Sequence, residues 1–208
     1  LGHAYIAITD HSGYIGVTQG LEADELAKRI DEIAEMDEAL DGVRLLAGVE
    51  VDVLEDGSLD LPNEVLERLD VVVFSIHSHF DLPADKQTER IIRAMDNPNV
   101  HILAHPTSRQ IGKRPGMDVD MGRVMDAALE RGCILEVNAQ PDRLDLDDLQ
   151  CKMAKERGLK LVISTDAHAP DELRFLRYGV SQARRGWLEP DDVLNARGWD
   201  ELKGLLER

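Results

Sequence analysis

Four of the seven histidines stand at the ends of short apolar runs: His11 in "YIAITDH", His77 in "DVVVFSIHSH", His105 in "VHILAHP" and His168 in "LKLVISTDAH". Asp10 and Asp166 share two of those ends, and Glu50 closes a similar run, "LLAGVE". Imidazole nitrogens and carboxylate oxygens together form a ligand set for Zn²⁺, Mn²⁺ or Fe²⁺. A single strand-end histidine is as easily a polar cap bonded to a loop carbonyl. Four such ends with three carboxylates read as one metal site. Three other histidines read differently. His101 opens its run and belongs at the opposite rim, His3 lies at the exposed start, and His79 is either an outer-shell group or a loop residue.

Competing chemistries find less support. There is no GxSxG, and Ser164 lies inside an apolar run. "GKRPG" (Gly112 to Gly116) lacks the spacing of a phosphate-binding glycine loop. The two cysteines, Cys133 and Cys151, form no CxxC pair and suggest no thiolate zinc site.

Elements in regular alternation must position these residues. Six apolar runs, each read as a buried strand, are separated by amphipathic stretches. The first of these stretches, Glu22 to Leu40, carries Leu26, Ile30, Ile33 and Leu40 at helical spacing. Further helices are predicted around "LPNEVLERL", "PADKQTERIIRAMDN", "DMGRVMDAALERG", "DLDDLQCKMAKERG" and the tail. Strands alternating with helices predict an α/β fold with a parallel sheet buried on both faces. Periodicity alone leaves a barrel and an open doubly wound sheet both possible. In either, the C-terminal strand ends gather at one mouth. Arg109, Lys113, Arg114 and Arg143 are candidate phosphate contacts, Arg109 and Arg143 foremost because they follow strand ends, while Lys113 and Arg114 read equally as solvated loop charges; Asn138 ends "LEVN" at the same rim, where it could bond a ligand or water.

The bulk composition narrows the setting. The chain has 208 residues and is read as one domain, 1–208; 43% of residues are hydrophobic and only 4% aromatic, so the core must rest on aliphatic side chains. A net charge of -17 argues against general nucleic-acid binding and suits a high-salt cytoplasm. Two unpaired cysteines fit a cytoplasmic location. No apolar run is long enough for a membrane span, and no signal peptide is visible. The chain begins almost directly in a strand, without Met, which reads as a cut through a larger protein.

Taken in order, "ITDH", "GVEVD", "SIH", "LAHP" and "STDAH" resemble the PHP (polymerase and histidinol phosphatase) family. "EVNAQPDRLDL" and "RYGVSQARRGWLEPDDVLN" are similar to the C-terminal PHP domain of bacterial and archaeal family X DNA polymerases. The resemblance implies a distorted (βα)7 TIM-like barrel with up to three divalent ions. The family's first strand, which carries an HxH ligand motif, is missing from this chain, so the domain is expected to be incomplete at its N-terminus. Carried over residue by residue, Glu50 would bridge two ions and Asp166 would share the first with the absent HxH pair. His77 and His105 would complete the second, and His11 and His168 would hold the third. Asp10 would orient an imidazole or water from behind.

Glu50, His77, His105 and Asp166 are thus the implied catalytic set. The implied activity is metal-dependent phosphoester hydrolysis. The implied substrate is DNA, reached through an associated polymerase region, with 3′-5′ exonuclease, abasic-site endonuclease or 3′-phosphatase work in repair. A small-molecule phosphatase acting on a substrate such as histidinol phosphate, and a degenerate non-catalytic domain, are the alternatives. No membrane partner is expected.

Overall fold

The computed structural model describes residues 2–14 and 20–206. Six strands are present among them: β1 (Tyr5–His11), β2 (Arg44–Asp52), β3 (Val71–Ser75), β4 (Ile102–Leu103), β5 (Ile134–Asn138) and β6 (Leu161–Ser164). They pair in parallel in the order β1-β2-β3-β4-β5-β6. A doubly wound sheet would reverse its order partway, and this one does not. The sheet instead curls into a half-barrel of six strands.

Helices α1 (Ala23–Glu38), α2 (Asn63–Leu66), α3 (Ala84–Met95), α4 (Met121–Arg131) and α5 (Asp148–Glu156) connect the strands. After β6 come a 3-10 helix (Pro170–Phe175), α6 (Leu176–Arg185) and α7 (Trp199–Leu206). Their ends follow local chemistry. Asp147 and Gln150 form a reciprocal capping box at the start of α5, and Gly132, in the left-handed region at φ 68°, closes α4. The final two residues of the predicted tail helix lie outside the described residues.

Strand alternation divides the sheet into two faces. Val49 and Val51 of β2, Val72 and Phe74 of β3, Leu135 and Val137 of β5, and Leu161 and Ile163 of β6 pack against the helices. The alternate residues face the concave side, and that side is itself divided. Its N-terminal half is apolar, with Leu46, Val71, Ile134 and Val162 covered by Leu194, Trp199, Leu202 and Leu206. Its C-terminal half is polar, because the same alternation continues into Glu50, Asp52, Ser75, Glu136, Asn138 and Ser164. The half-barrel therefore has an apolar floor and a polar mouth.

The tail also covers part of an open edge of the sheet. Val193 bridges to Leu161, and the Asn195 amide accepts from Ile163 N at 3.0 Å and donates to Ile163 O at 2.7 Å. Part of β6's open edge is thereby satisfied, which limits edge-to-edge pairing. Trp199 reaches Tyr5 of β1, with ring centroids 6.0 Å apart, so the tail spans both ends of the sheet. Strand β4 is shorter than "VHILAHP" suggests, because the chain turns at His105, where φ is 28°. Among the described residues no helix is long and apolar enough to cross a membrane.

Candidate metal centre

Glu50 is the hub of the mouth. It lies on the concave face of β2, 7% exposed, and three imidazoles converge on it. His105 Nε2 donates to Oε1 at 2.9 Å, His77 Nε2 stands 3.3 Å from the same oxygen, and His11 Nδ1 is 3.6 Å from Oε2. Register explains two of these neighbours. His11 is paired directly with Glu50 across β1 and β2, and His77 follows the end of adjacent β3. His105 is brought in by the left-handed turn after β4, where Glu136 Oε2 accepts from His105 N at 2.6 Å.

Burial alone would raise the Glu50 carboxyl, but hydrogen bonds and charge from His105 and His77 outweigh it and hold it well below the usual range. His77 shows the reciprocal effect. Burial disfavours its charge, yet Asp52 and Glu50 raise it to about 9. Its Nδ1 lies 2.7 Å from Asp52 Oδ1 and 3.1 Å from Ser75 Oγ. A proton on His77 thus sits between two carboxylates, in the place where a divalent cation would serve the same electrostatic need.

The donor set fits a metal. Ligand atoms of His11, Glu50 and His77 all lie within 4.8 Å of one another. His11 Nδ1, His105 Nδ1 and Asp52 Oδ2 are buried without a hydrogen-bond partner among the described residues. With Asp52 holding Nδ1, the Nε2 of His77 is the atom turned to the centre, the usual arrangement of a carboxylate behind a ligating histidine.

The remaining predicted residues separate. His168 lies beside His11, ring centroids 6.0 Å apart, and its Nδ1 is 3.8 Å from Asp166 Oδ1. Asp166, at φ 49°, accepts from Asn138 Nδ2 at 3.1 Å and lies 3.5 Å from Arg143 Nε. Arg143 is mostly buried, and its Nη1 has no hydrogen-bond partner among the described residues.

Three expectations are revised. Asp10 falls on the helix-facing side of β1 and pairs with Arg29 of α1 at 3.1 Å, so strand alternation turns it away from the imidazoles. Arg109 donates to the carbonyls of Arg143 and Leu144 and faces Asp147 at 3.7 Å; it braces the 143–147 loop, with its donors committed to that loop. Asn138 is fully buried, donating to Glu136 and Asp166 and accepting from Gln140 N, so it positions Asp166 from within the sheet. Lys113 pairs with Asp142, and Arg114 lies over the Phe80 ring at 3.9 Å.

Two further carboxylates, outside the sequence expectations, belong to the site. Asp52 shares Glu50's face, two residues on, a parity visible in "GVEVD". Glu136 interrupts the apolar run "CILEVN"; it accepts from His105 N, Asn138 and Ser164. Burial, partly offset by attraction to His105 and reinforced by Asp166, raises its pKa to about 7.

No family model matches the chain. The DNA polymerase/3′-5′ exonuclease PolX of Bacillus subtilis is 42% identical over 207 residues, 100% of this chain and 36% of that protein. The chain thus spans about a third of that relative's length. A probable phosphatase of Acetivibrio thermocellus is 31% identical over 186 residues, covering 85% of this chain and 72% of the relative. Histidinol phosphate phosphatase from Lactococcus lactis, solved with zinc, L-histidinol and phosphate, superposes with a TM-score of 0.60 at 15% identity, over 89% of this chain and 82% of that one. At that identity the likeness concerns the fold.

Proposed function

The chain belongs to the PHP family, and on that premise we propose that its mouth holds divalent ions and hydrolyses phosphoesters, with DNA ends as the substrate. The observation that carries this reading is the buried Glu50 carboxylate with three imidazoles on it. His11, Glu50, His77 and His105 would hold one part of the centre, and Asp166 with His168 another. Bound divalent ions supply Lewis acidity toward phosphate oxygens and an activated water.

The chain's own residues have separable parts. Asp52 fixes the tautomer and orientation of His77. Glu136 clamps the main chain at His105 and, through Asn138, the Asp166 carboxylate. The unpartnered Nη1 of Arg143 offers a donor to a phosphate oxygen beside Asp166. Walls buried to a few per cent exposure at Glu50, Asp52, His105 and Glu136 keep these charges strong by excluding water.

The DNA reading is supported by similarity along the whole chain to PolX, which is named as a DNA polymerase/3′-5′ exonuclease. A second reading, a small-molecule phosphatase, is favoured by the histidinol phosphate phosphatase fold. Incubation with Mn²⁺ or Zn²⁺ and a labelled DNA strand, in parallel with histidinol phosphate, tests both. Release of nucleotides or terminal phosphate from DNA, abolished by His105→Ala and by Asp166→Ala, is expected. Undiminished activity in either variant refutes the assigned centre, and turnover of the monoester alone selects the second reading.

A further inference from the structure

The segment after β6 carries a feature that the metal centre does not use. In "DELRFLRYG", Arg174, Phe175, Arg177 and Tyr178 fall within five residues, in a chain whose hydrophobic residues include only three Phe and three Tyr. The segment walls the mouth. Glu172 accepts from His168 N at 2.7 Å and from Gln140 at 3.3 Å, and Gly179 seats α6 against Ala139 and Ile163 at the ends of β5 and β6. Phe175 and Tyr178 stack at a tilt, centroids 5.9 Å apart. Among the described residues both stay outside the two apolar clusters, whereas Leu176 between them packs against one. Arg177 lies over the Tyr178 ring at 4.6 Å and donates from Nη2 to the Tyr178 hydroxyl at 2.7 Å, with no carboxylate paired to it among the described residues, and Arg174 faces the exposed Asp171 only at 3.8 Å.

The charge balance changes at the same place. The segments after β4 and β5 up to the next helix, and the segment after β6 up to Tyr178 (104–120, 139–147 and 165–178), hold six basic and eight acidic residues, against 24 and 41 in the chain. The segments after β1, β2 and β3 (12–22, 53–62 and 76–83) hold no Lys or Arg, so the basic residues of the strand-to-helix segments all fall on this side, where a polyanion can approach a molecule that otherwise repels it.

We propose that Arg174, Phe175, Arg177 and Tyr178 form a platform for a single nucleic-acid strand leading into the metal centre, the rings taking unpaired bases and the guanidiniums the intervening phosphates. Stacking plus backbone cations is the chemistry of strand binding without sequence preference, since every base has a π-face. The platform rests on the phosphoesterase reading for its purpose, but its binding is testable separately.

Fluorescence anisotropy of the full chain with Mn²⁺ would compare an oligothymidylate of about 12 nucleotides with an abasic strand of equal length. Phe175→Leu/Tyr178→Leu should weaken oligothymidylate binding about 5-fold or more and leave the abasic strand little changed. Arg174→Gln/Arg177→Gln, a surface change that spares folding, should weaken both strands and flatten the salt dependence. Equal binding of oligothymidylate by wild type and both variants overturns the platform. So does wild-type protein that hydrolyses p-nitrophenyl phosphate yet binds neither strand. Protein that binds with the expected variant effects but hydrolyses no phosphoester keeps the platform and overturns the proposed activity instead.

Discussion

His77 ties the chemistry of the centre to its stability. In the metal-free protein its pKa is raised to about 9, so it binds more protons folded than unfolded at neutral pH. Its contribution to stability is therefore complete below its ordinary value of 6.5 and is lost as pH rises through about 9. Glu136, raised to about 7, contributes a fall of the same sign at lower pH, between 4.5 and 7. The interval from about 7 to 9 thus isolates His77. In chelator-treated protein the urea midpoint should decline across that interval, and His77→Gln should flatten the decline. An unchanged slope in the variant would show that the proton lies elsewhere.

The elements impose tolerances that residue chemistry does not reveal. Gly179 sits inside α6, where alanine would ordinarily stabilise the helix by about 1 kcal/mol. A methyl there would meet Ile163 Cγ2 at 2.4 Å and Ala139 Cβ at 2.9 Å. Overpacking of that kind costs about 1–3 kcal/mol, so the steric term should win and Gly179→Ala should lower stability. Denaturant titration measures this directly; a stabilised variant would mean that α6 is free to lift from the sheet. Such lifting would move the segment that bonds His168, so the same close approach that fixes the helix fixes one wall of the mouth.

Across the whole molecule, a net charge of -17 opposes compaction. Most of it is carried by exposed acids, whose mutual repulsion is screened beyond about 3 Å in 1 M salt and beyond about 30 Å at 0.01 M. Thermal midpoints should rise with added NaCl through this range, with K⁺ and Na⁺ acting alike. A midpoint insensitive to salt would indicate that surface pairs such as Arg68–Asp31 and Arg131–Asp96 already neutralise the field. The half-barrel withstands this repulsion with a core that needs few aromatics. Aliphatic side chains line the convex face, and one C-terminal segment seals the floor through Trp199, Leu202 and Leu206.

Much of this was legible in one dimension. The alternation of apolar runs with amphipathic stretches specified a parallel α/β sheet, because strands covered on both faces must be apolar throughout. The recurrence of His and acid at run ends specified one mouth, because parallel strands end on the same side. Asp52 and Glu136 were readable too, from parity with Glu50 and Asn138. The direction of a side chain at a strand end was less accessible. Asp10 and His11 are neighbours in sequence, yet pleating sends one to Arg29 on a helix and the other to Glu50. Arg109 follows a strand end as expected, but its Nε and Nη2 are bonded to carbonyls of a loop 34 and 35 residues away. Local pattern determines which residues reach the rim. Only the packed loops and the register decide which of them keep an unsatisfied donor or acceptor facing inward, because that depends on partners distant in sequence.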